Sequence, residues 1–229
     1  MNQAGLLELP VTPVPIVILG GANSGSLLAQ AIADLAAADE PLSLAGFLND
    51  HHKVGERICG VRVLGGFEGW RELSSEVRFI AAIHMARRMR DFAYRLDALG
   101  IPQARWILLQ HPSSIIATDV VIGPGSYIGP HAVVMPRAEI GAHVSLRAGC
   151  YISHDVKVGE HSFVGPNAVV NGDCELAEGA YVGPGAAIRD GLRVGAFATV
   201  GLGAVVVKDV ADGVTVAGNP ARQLAPSTE

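Results

Sequence analysis

The sequence predicts an α/β half followed by a solenoid of six-residue repeats. Two observations carry this expectation. Up to about residue 110, short apolar runs alternate with Ala- and Leu-rich stretches at helical spacing. From Ile116 to Val206 an aliphatic residue then falls on every sixth position, sixteen times without an insertion. A period of six fits neither a helix at 3.6 nor a two-faced strand at 2, so it marks a structural repeat. The bulk composition agrees: 49% of the 229 residues are hydrophobic but only 5% aromatic, so the core is built of Val, Ile, Leu and Ala. The 28 glycines are periodic rather than low-complexity.

In the first half, Pro15 to Leu19 reads as a short buried strand running into the Gly20-Gly21 pair. Ser26 to Ala38 reads as a helix stopped by Asp39-Glu40-Pro41. Leu44 to Leu48, Val61 to Leu64 and Val77 to Ile83 read as further strands. Met85 to Leu99 is a basic amphipathic helix ending at Gly100, a candidate left-handed cap, and Ala104 to Leu109 is a last strand. This alternation implies a small, Rossmann-like parallel sheet over residues 1–110. The second unit, 111–229, starts at His111-Pro112-Ser113 and leaves through Gly218-Asn219-Pro220-Ala221-Arg222.

Within each hexad the fourth residue after the aliphatic one is small or modest, as at Ser126, Ala132, Cys150, Ala168 and Cys174. Gly often follows the aliphatic residue directly, as at Gly123, Gly165 and Gly201. This pattern resembles the hexapeptide-repeat left-handed parallel β-helix. That resemblance implies three hexads per triangular coil of eighteen residues, an aliphatic interior, Gly easing the turns and, as is usual for the fold, a homotrimer. Sixteen hexads make about five coils, stacked ~4.8 Å apart. Cys150 and Cys174 take the small inward slot and read as core filler.

Several classes are disfavoured. A net charge of −5 with mixed signs argues against nucleic acid or an anionic membrane as partner. No run of eighteen apolar residues predicts a membrane span, and the first fifteen residues lack the pattern of a secretory signal. The three cysteines form no metal-type cluster, and a reducing cytoplasm is the expectation.

Coils of eighteen say what stacks on what. His154 and Gly172 take equivalent places on successive coils, which sets an imidazole beside a backbone N–H. A base next to an oxyanion donor is the pair that acyl transfer needs, and Asp155 is placed to hold the imidazole. His143 and His161 are also eighteen apart and read as two solvated histidines on another outer face. A metal site like that of the γ-class carbonic anhydrases needs a third histidine at a spacing this chain lacks, so no metal is expected.

The order of motifs along the chain resembles the bacterial sugar acetyltransferases of the sialic-acid O-acetyltransferase type. These include the N-acetyltransferases of nucleotide-linked 4-amino sugars. The resemblance rests on the turn from Ile18 to Ser26, on Gly46-Phe47-Leu48-Asn49-Asp50, and on Ile58 to Gly66. It continues through His111-Pro112-Ser113-Ser114 and Ile152-Ser153-His154-Asp155 to the exit motif. It implies direct attack of a sugar amino or hydroxyl group on acetyl-CoA, with His154 as catalytic base, Asp155 increasing its basicity and the Gly172 N–H holding the thioester carbonyl. Coenzyme A would lie between subunits near Pro184, Gly201 and Leu202, with Lys208 and Arg222 near its phosphates. The acceptor, a nucleotide-linked sugar, would lie against the first half, at Gly21, Asn23, Ser24, Gly25, Asn49, Asp50 and His84.

The chain departs from that family at four places. The turn ends Ser24-Gly25-Ser26 without its histidine, and the fourth strand ends in His84-Met85. Arg147 replaces a common Asn and Phe163 a common His. The departures fall on the acceptor side and motivate one alternative, a nucleotide-sugar-binding scaffold without turnover; the stacked histidines leave a lesser one, a γ-carbonic-anhydrase-like metalloenzyme. Arg147 reads equally as a contact for an anionic acceptor group or as a solvated surface residue. The imperfect Gly-rich turn, with no second catalytic domain after it, is a weak signal for hydride transfer.

Overall fold

The computed structural model describes residues 12–82 and 86–225. The first sheet contains β1 (Val14–Gly20), β2 (Leu42–Leu48), β3 (Arg57–Ile58), β4 (Val61–Gly65) and β5 (Arg78–Ala82), in the spatial order β3-β4-β2-β1-β5. All neighbours are parallel except β3 and β4. Strand order reverses between β1 and β5, so the crevice beyond Gly20 and Ala82 is the switch point of this small α/β sheet. Helix α1 (Ala22–Ala37) lays Leu28, Ala31, Ile32 and Leu35 on Ile16, Ile18, Phe47 and Ile80. Helix α2 (Met89–Ala98) covers the other face through Leu96, beside Phe79, Leu99 and Trp106.

Three local expectations change. The turn Gly21 to Ser26 is instead the first turn of α1, with Gly21 as an extended N-cap. Packing decides this: a β-carbon on Gly25 would meet the Phe47 ring at 2.8 Å, so glycine lets the helix start early and close on β2. The second helix begins later than expected, a 3-10 turn at Ala86–Arg88 preceding α2, and it ends as expected at Gly100 with φ 63°. The expected strand 104–109 is a 3-10 turn at Gln103–Arg105 followed by a single bridge from Trp106 to Phe79. Leu109–Gln110 then pairs with Tyr127–Ile128 and already belongs to the solenoid. The chain cannot continue along β5 because Leu109 N–H is taken by Ser126 O of the next coil.

The solenoid is a three-sided prism of two-residue strands, each paired in parallel with the strand eighteen residues on. Face A carries Ile116, Val134, Ile152, Val170, Ile188 and Val206; face B carries Ile122, Ile140, Val158, Leu176 and Val194. Face C carries Ile128, Leu146, Val164, Val182 and Val200, extended by Leu109–Gln110 at one end and the hairpin Thr215–Ala217/Arg222–Gln223 at the other. The aliphatic and small positions form one continuous core from Ile128 to Val216, in which Cys150 and Cys174 are filler as expected. Burial pushes the Cys150 thiol up to about 12.

The glycine after each aliphatic residue does not ease the turn, as the sequence suggested. It permits close approach: a β-carbon on Gly165 would lie 2.6 Å from Pro184 N, and one on Gly183 2.7 Å from Leu202 N. The turn is made two residues later. From Gly125 to Gly203 every third residue after an aliphatic one is left-handed, with φ between 54° and 73°, whether it is Gly or His131, Arg137, His143, Asp155, His161, Asn167, Asp173 or Phe197. These corners aim side chains outward in vertical columns.

Candidate active site

The A–B corner carries the column Pro136, His154, Gly172, Asp190, and beside it the left-handed column Arg137, Asp155, Asp173, Gly191. The imidazole of His154, half exposed, lies over Gly172: a β-carbon there would stand 2.7 Å from Cε1 and 2.9 Å from Nε2. Only glycine leaves the ring this seat. The expected juxtaposition of the His154 imidazole and Gly172 is therefore present. Among the described residues no backbone hydrogen bond uses Gly172 N as donor. The equivalent corner position is Pro at 124, 130, 136, 166 and 184, so the coil ladder does not need an N–H there.

Asp155 accepts at 2.8 Å from His154 Nδ1, which leaves Nε2 as the nitrogen for an incoming group. Sequence reasoning missed its second partner. Arg137, eighteen residues earlier, donates through Nε to Oδ1 and Nη2 to Oδ2, each at 2.7 Å. First Arg137 and then His154 hold the Asp155 carboxyl well below the usual carboxylate range. The same count of eighteen, applied to Asp155 rather than to His154, finds Arg137. His154, Asp155 and Asp173 also bring one potential ligand atom each within 4.8 Å of one another. Both Asp155 oxygens, however, are already committed to the fixed positive charge of Arg137.

His143 and His161 correct the sequence reading. They are not solvated but lie beneath α2, at the B–C corner. Their rings stack at 5.0 Å, His143 meets the Trp106 ring edge-on at 4.6 Å, and His161 is 5% exposed. His161 Nε2 stands 3.1 Å from Asp97 Oδ1, without the geometry of a hydrogen bond. Desolvation, then the neighbouring His161, pulls His143 down to about 4. This is a packed core pair.

Of the expected donor residues, Pro184 and Leu202 share the exposed C–A corner, with Gly201 beside them. That is a different corner from His154. Lys208 and Arg222 line one groove at the last coil. Of the acceptor residues, Gly21, Ser24 and Gly25 sit at the start of α1, at the switch point. Asn23 is in the same first turn, and His84 lies outside the described residues. Asn49 is buried and spends its amide internally, donating to Gly20 O at 2.7 Å and accepting from His51 N at 2.8 Å. Asp50 accepts from Phe67 N and pairs with Arg95. Both brace the loop after β2.

The profile of the bacterial transferase hexapeptide (six repeats) family matches residues 119–154, 137–172 and 155–190. A search of the curated proteins finds no match. Among solved structures, the chain is similar to the acetyltransferase domain of PglB from Neisseria gonorrhoeae FA1090 in complex with acetyl coenzyme A. The identity is 28%, over 93% of this chain and 100% of that one, with a TM-score of 0.80. A mutant of perosamine N-acetyltransferase from Caulobacter crescentus, in complex with CoA and GDP-perosamine, is 26% identical over 92% and 97%, with a TM-score of 0.78. The chain carries the repeats of the bacterial transferase hexapeptide family over residues 119–190, and over more than nine-tenths of its length it is similar to sugar acetyltransferases. WeeI from Acinetobacter baumannii AYE is a third similar structure, 28% identical over 91% and 99%, with a TM-score of 0.75. The solenoid is thus the left-handed parallel β-helix, joined to a parallel α/β sheet, as the repeat predicted.

Proposed function

We propose that this acetyltransferase moves the acetyl group of acetyl-CoA to an amino group of a nucleotide-linked sugar by direct attack. The observation that carries the reading is the His154 ring, held through Nδ1 by Asp155 and seated on Gly172. His154 Nε2 takes the proton from the attacking amine. The Gly172 N–H donates to the thioester oxygen as it becomes an oxyanion, and CoA leaves as the thiol. Asp155 holds the ring with Nε2 outward and stabilises the imidazolium that forms, and Arg137 fixes Asp155.

Placement of the donor supports a second copy in the site. Pro184 and Leu202 lie on the C–A corner and His154 on the A–B corner, so one chain does not bring them together. We infer a homotrimer in which one chain supplies the base and its neighbour the donor track, with Lys208 and Arg222 meeting the CoA phosphates. The acceptor nucleotide takes the switch-point crevice at the start of α1. Among the described residues no helix is long and apolar enough to cross a membrane, and the reading places the enzyme in the cytoplasm. The solved relatives with acetyl coenzyme A, and with CoA and GDP-perosamine, support both substrates.

The test is thiol release from acetyl-CoA against a panel of 4-amino-sugar nucleotides, GDP-perosamine among them. Acceptor-dependent release with a mass gain of one acetyl group on the sugar is expected. Binding of the nucleotide sugar with no release would favour the non-catalytic scaffold.

A further inference from the structure

A groove runs between α1 and face C, away from the A–B corner. Gln30 and Asp34 line one side, and Tyr127, Arg147 and Pro166 the other, with His111 at its end. Arg147 is an anomaly in its own column. The residues directly after the aliphatic one on face C are Gly129, Arg147, Gly165, Gly183 and Gly201, so a single long side chain stands where the fold otherwise has none. It is not solvated. Its guanidinium lies over the Tyr127 ring, 5.9 Å from the centroid, and over Phe163 at 5.5 Å; Phe163 in turn stacks on Tyr181 at 4.6 Å.

Among the described residues, no carboxylate comes within ion-pair distance of Arg147, and no hydrogen bond from its guanidinium is formed. Asp34 shares the groove but accepts from Gln30 Nε2 at 2.7 Å and meets His111 Nε2 at 3.2 Å. Burial raises both nearby tyrosines, so neither phenol supplies a counter-charge. A half-buried guanidinium with aromatic walls and no anion is costly unless a ligand completes it, and its planar fork suits a carboxylate or phosphate.

The groove also continues the corner column of the proposed donor track. That column runs Leu202, Pro184, Pro166, Ala148, Pro130, and the groove lies at its far end from Lys208 and Arg222. An anion at Arg147 is then not the one that Lys208 and Arg222 hold. We propose that Arg147 and the groove between α1 and face C form a subsite for a carboxylate or phosphate group of the acceptor, setting the enzyme's specificity for an anionic acceptor. The assignment to the acceptor rests on the acetyl-transfer reading; the anion site itself does not.

The test follows the side-chain Nε–H resonance of Arg147 in the full-length protein, assigned by its loss in Arg147→Asn. Glucose, glucuronate and glucose 6-phosphate are titrated at matched ionic strength. A saturable shift with one or both anionic sugars, Kd on the order of 1–10 mM, and none with glucose is expected. Which anion binds more tightly names the group. Arg147→Asn should weaken anion binding about tenfold or more, and Arg147→Lys, which keeps the charge but not the fork, by less. The shift should persist with CoA saturating. No saturable shift with either anion overturns the proposal, and so does a shift abolished by CoA, which would return Arg147 to the donor track. Neither result depends on thiol release, so this proposal and the acetyl-transfer reading fail separately.

Discussion

At the scale of single residues, the site is a column problem. Gly172 is needed because His154 occupies the space of its missing side chain. Gly172→Ala is expected to push the ring off its seat and lower kcat by about tenfold or more, while leaving the melting temperature close to wild type. Arg137 touches no substrate in the proposed mechanism and acts through Asp155. Arg137→Ala should lower kcat with little change in KM for acetyl-CoA, and Arg137→Lys, which cannot reach both oxygens as a fork, should restore only part of it. Steady-state kinetics separate the two terms. His154 and Gly172 were legible in the sequence because an eighteen-residue count joins them. Arg137 obeys the same count, one coil before Asp155. The burial of Arg147 was not legible at all, since it depends on how α1 leans on face C.

At the scale of elements, the period of six was strong because each hexad repeats one environment: an aliphatic interior slot, a small slot and a left-handed corner. Truncating an interior slot should cost accordingly. Ile152→Ala, beneath the His154 corner, is expected to destabilise by roughly 2–5 kcal/mol in chemical denaturation. The helices were read less well. The start of α1 at Ala22, four residues before the expected Ser26, is hidden in the sequence because Gly25 looks like a turn residue and serves as a contact with Phe47. The burial of the histidine pair is not legible because nothing local says that α2 will cover it.

That burial has a consequence for pH. His143 in the folded protein is held at about 4, against about 6.5 for an unperturbed histidine. Between those values the unfolded chain binds the extra proton, so stability is full above about pH 6.5 and falls as pH drops toward 4, by on the order of 3 kcal/mol. Asp97, Glu160 and His161 are the titratable groups around the pair. Urea unfolding at several pH values should show this slope, and His143→Leu should flatten it.

At the scale of the whole molecule, the two halves meet along face C and the B–C corner, through Tyr127 in the α1 core and Trp106 against His143. The layout puts the Arg147 groove and the proposed donor residues along one corner of face C, with His154 on another corner. Assembly is what brings them together in the proposed trimer. Sedimentation should therefore give a trimer. Mixing a His154→Ala chain with a chain disabled in the donor track should restore part of the activity, because some interfaces regain one intact half from each. The fold class was legible in the sequence because repeats are local statements. The site was legible only in the half that a single coil spacing defines, while the acceptor side needed the packing of two architectures.

In the proposed mechanism His154 removes the proton during direct acetyl transfer. The measurement is acceptor-dependent thiol release from acetyl-CoA by wild type and by His154→Ala at saturating donor. A loss of about 10²–10⁴-fold in kcat is expected, with the protein still folded. An unchanged rate in His154→Ala would contradict it.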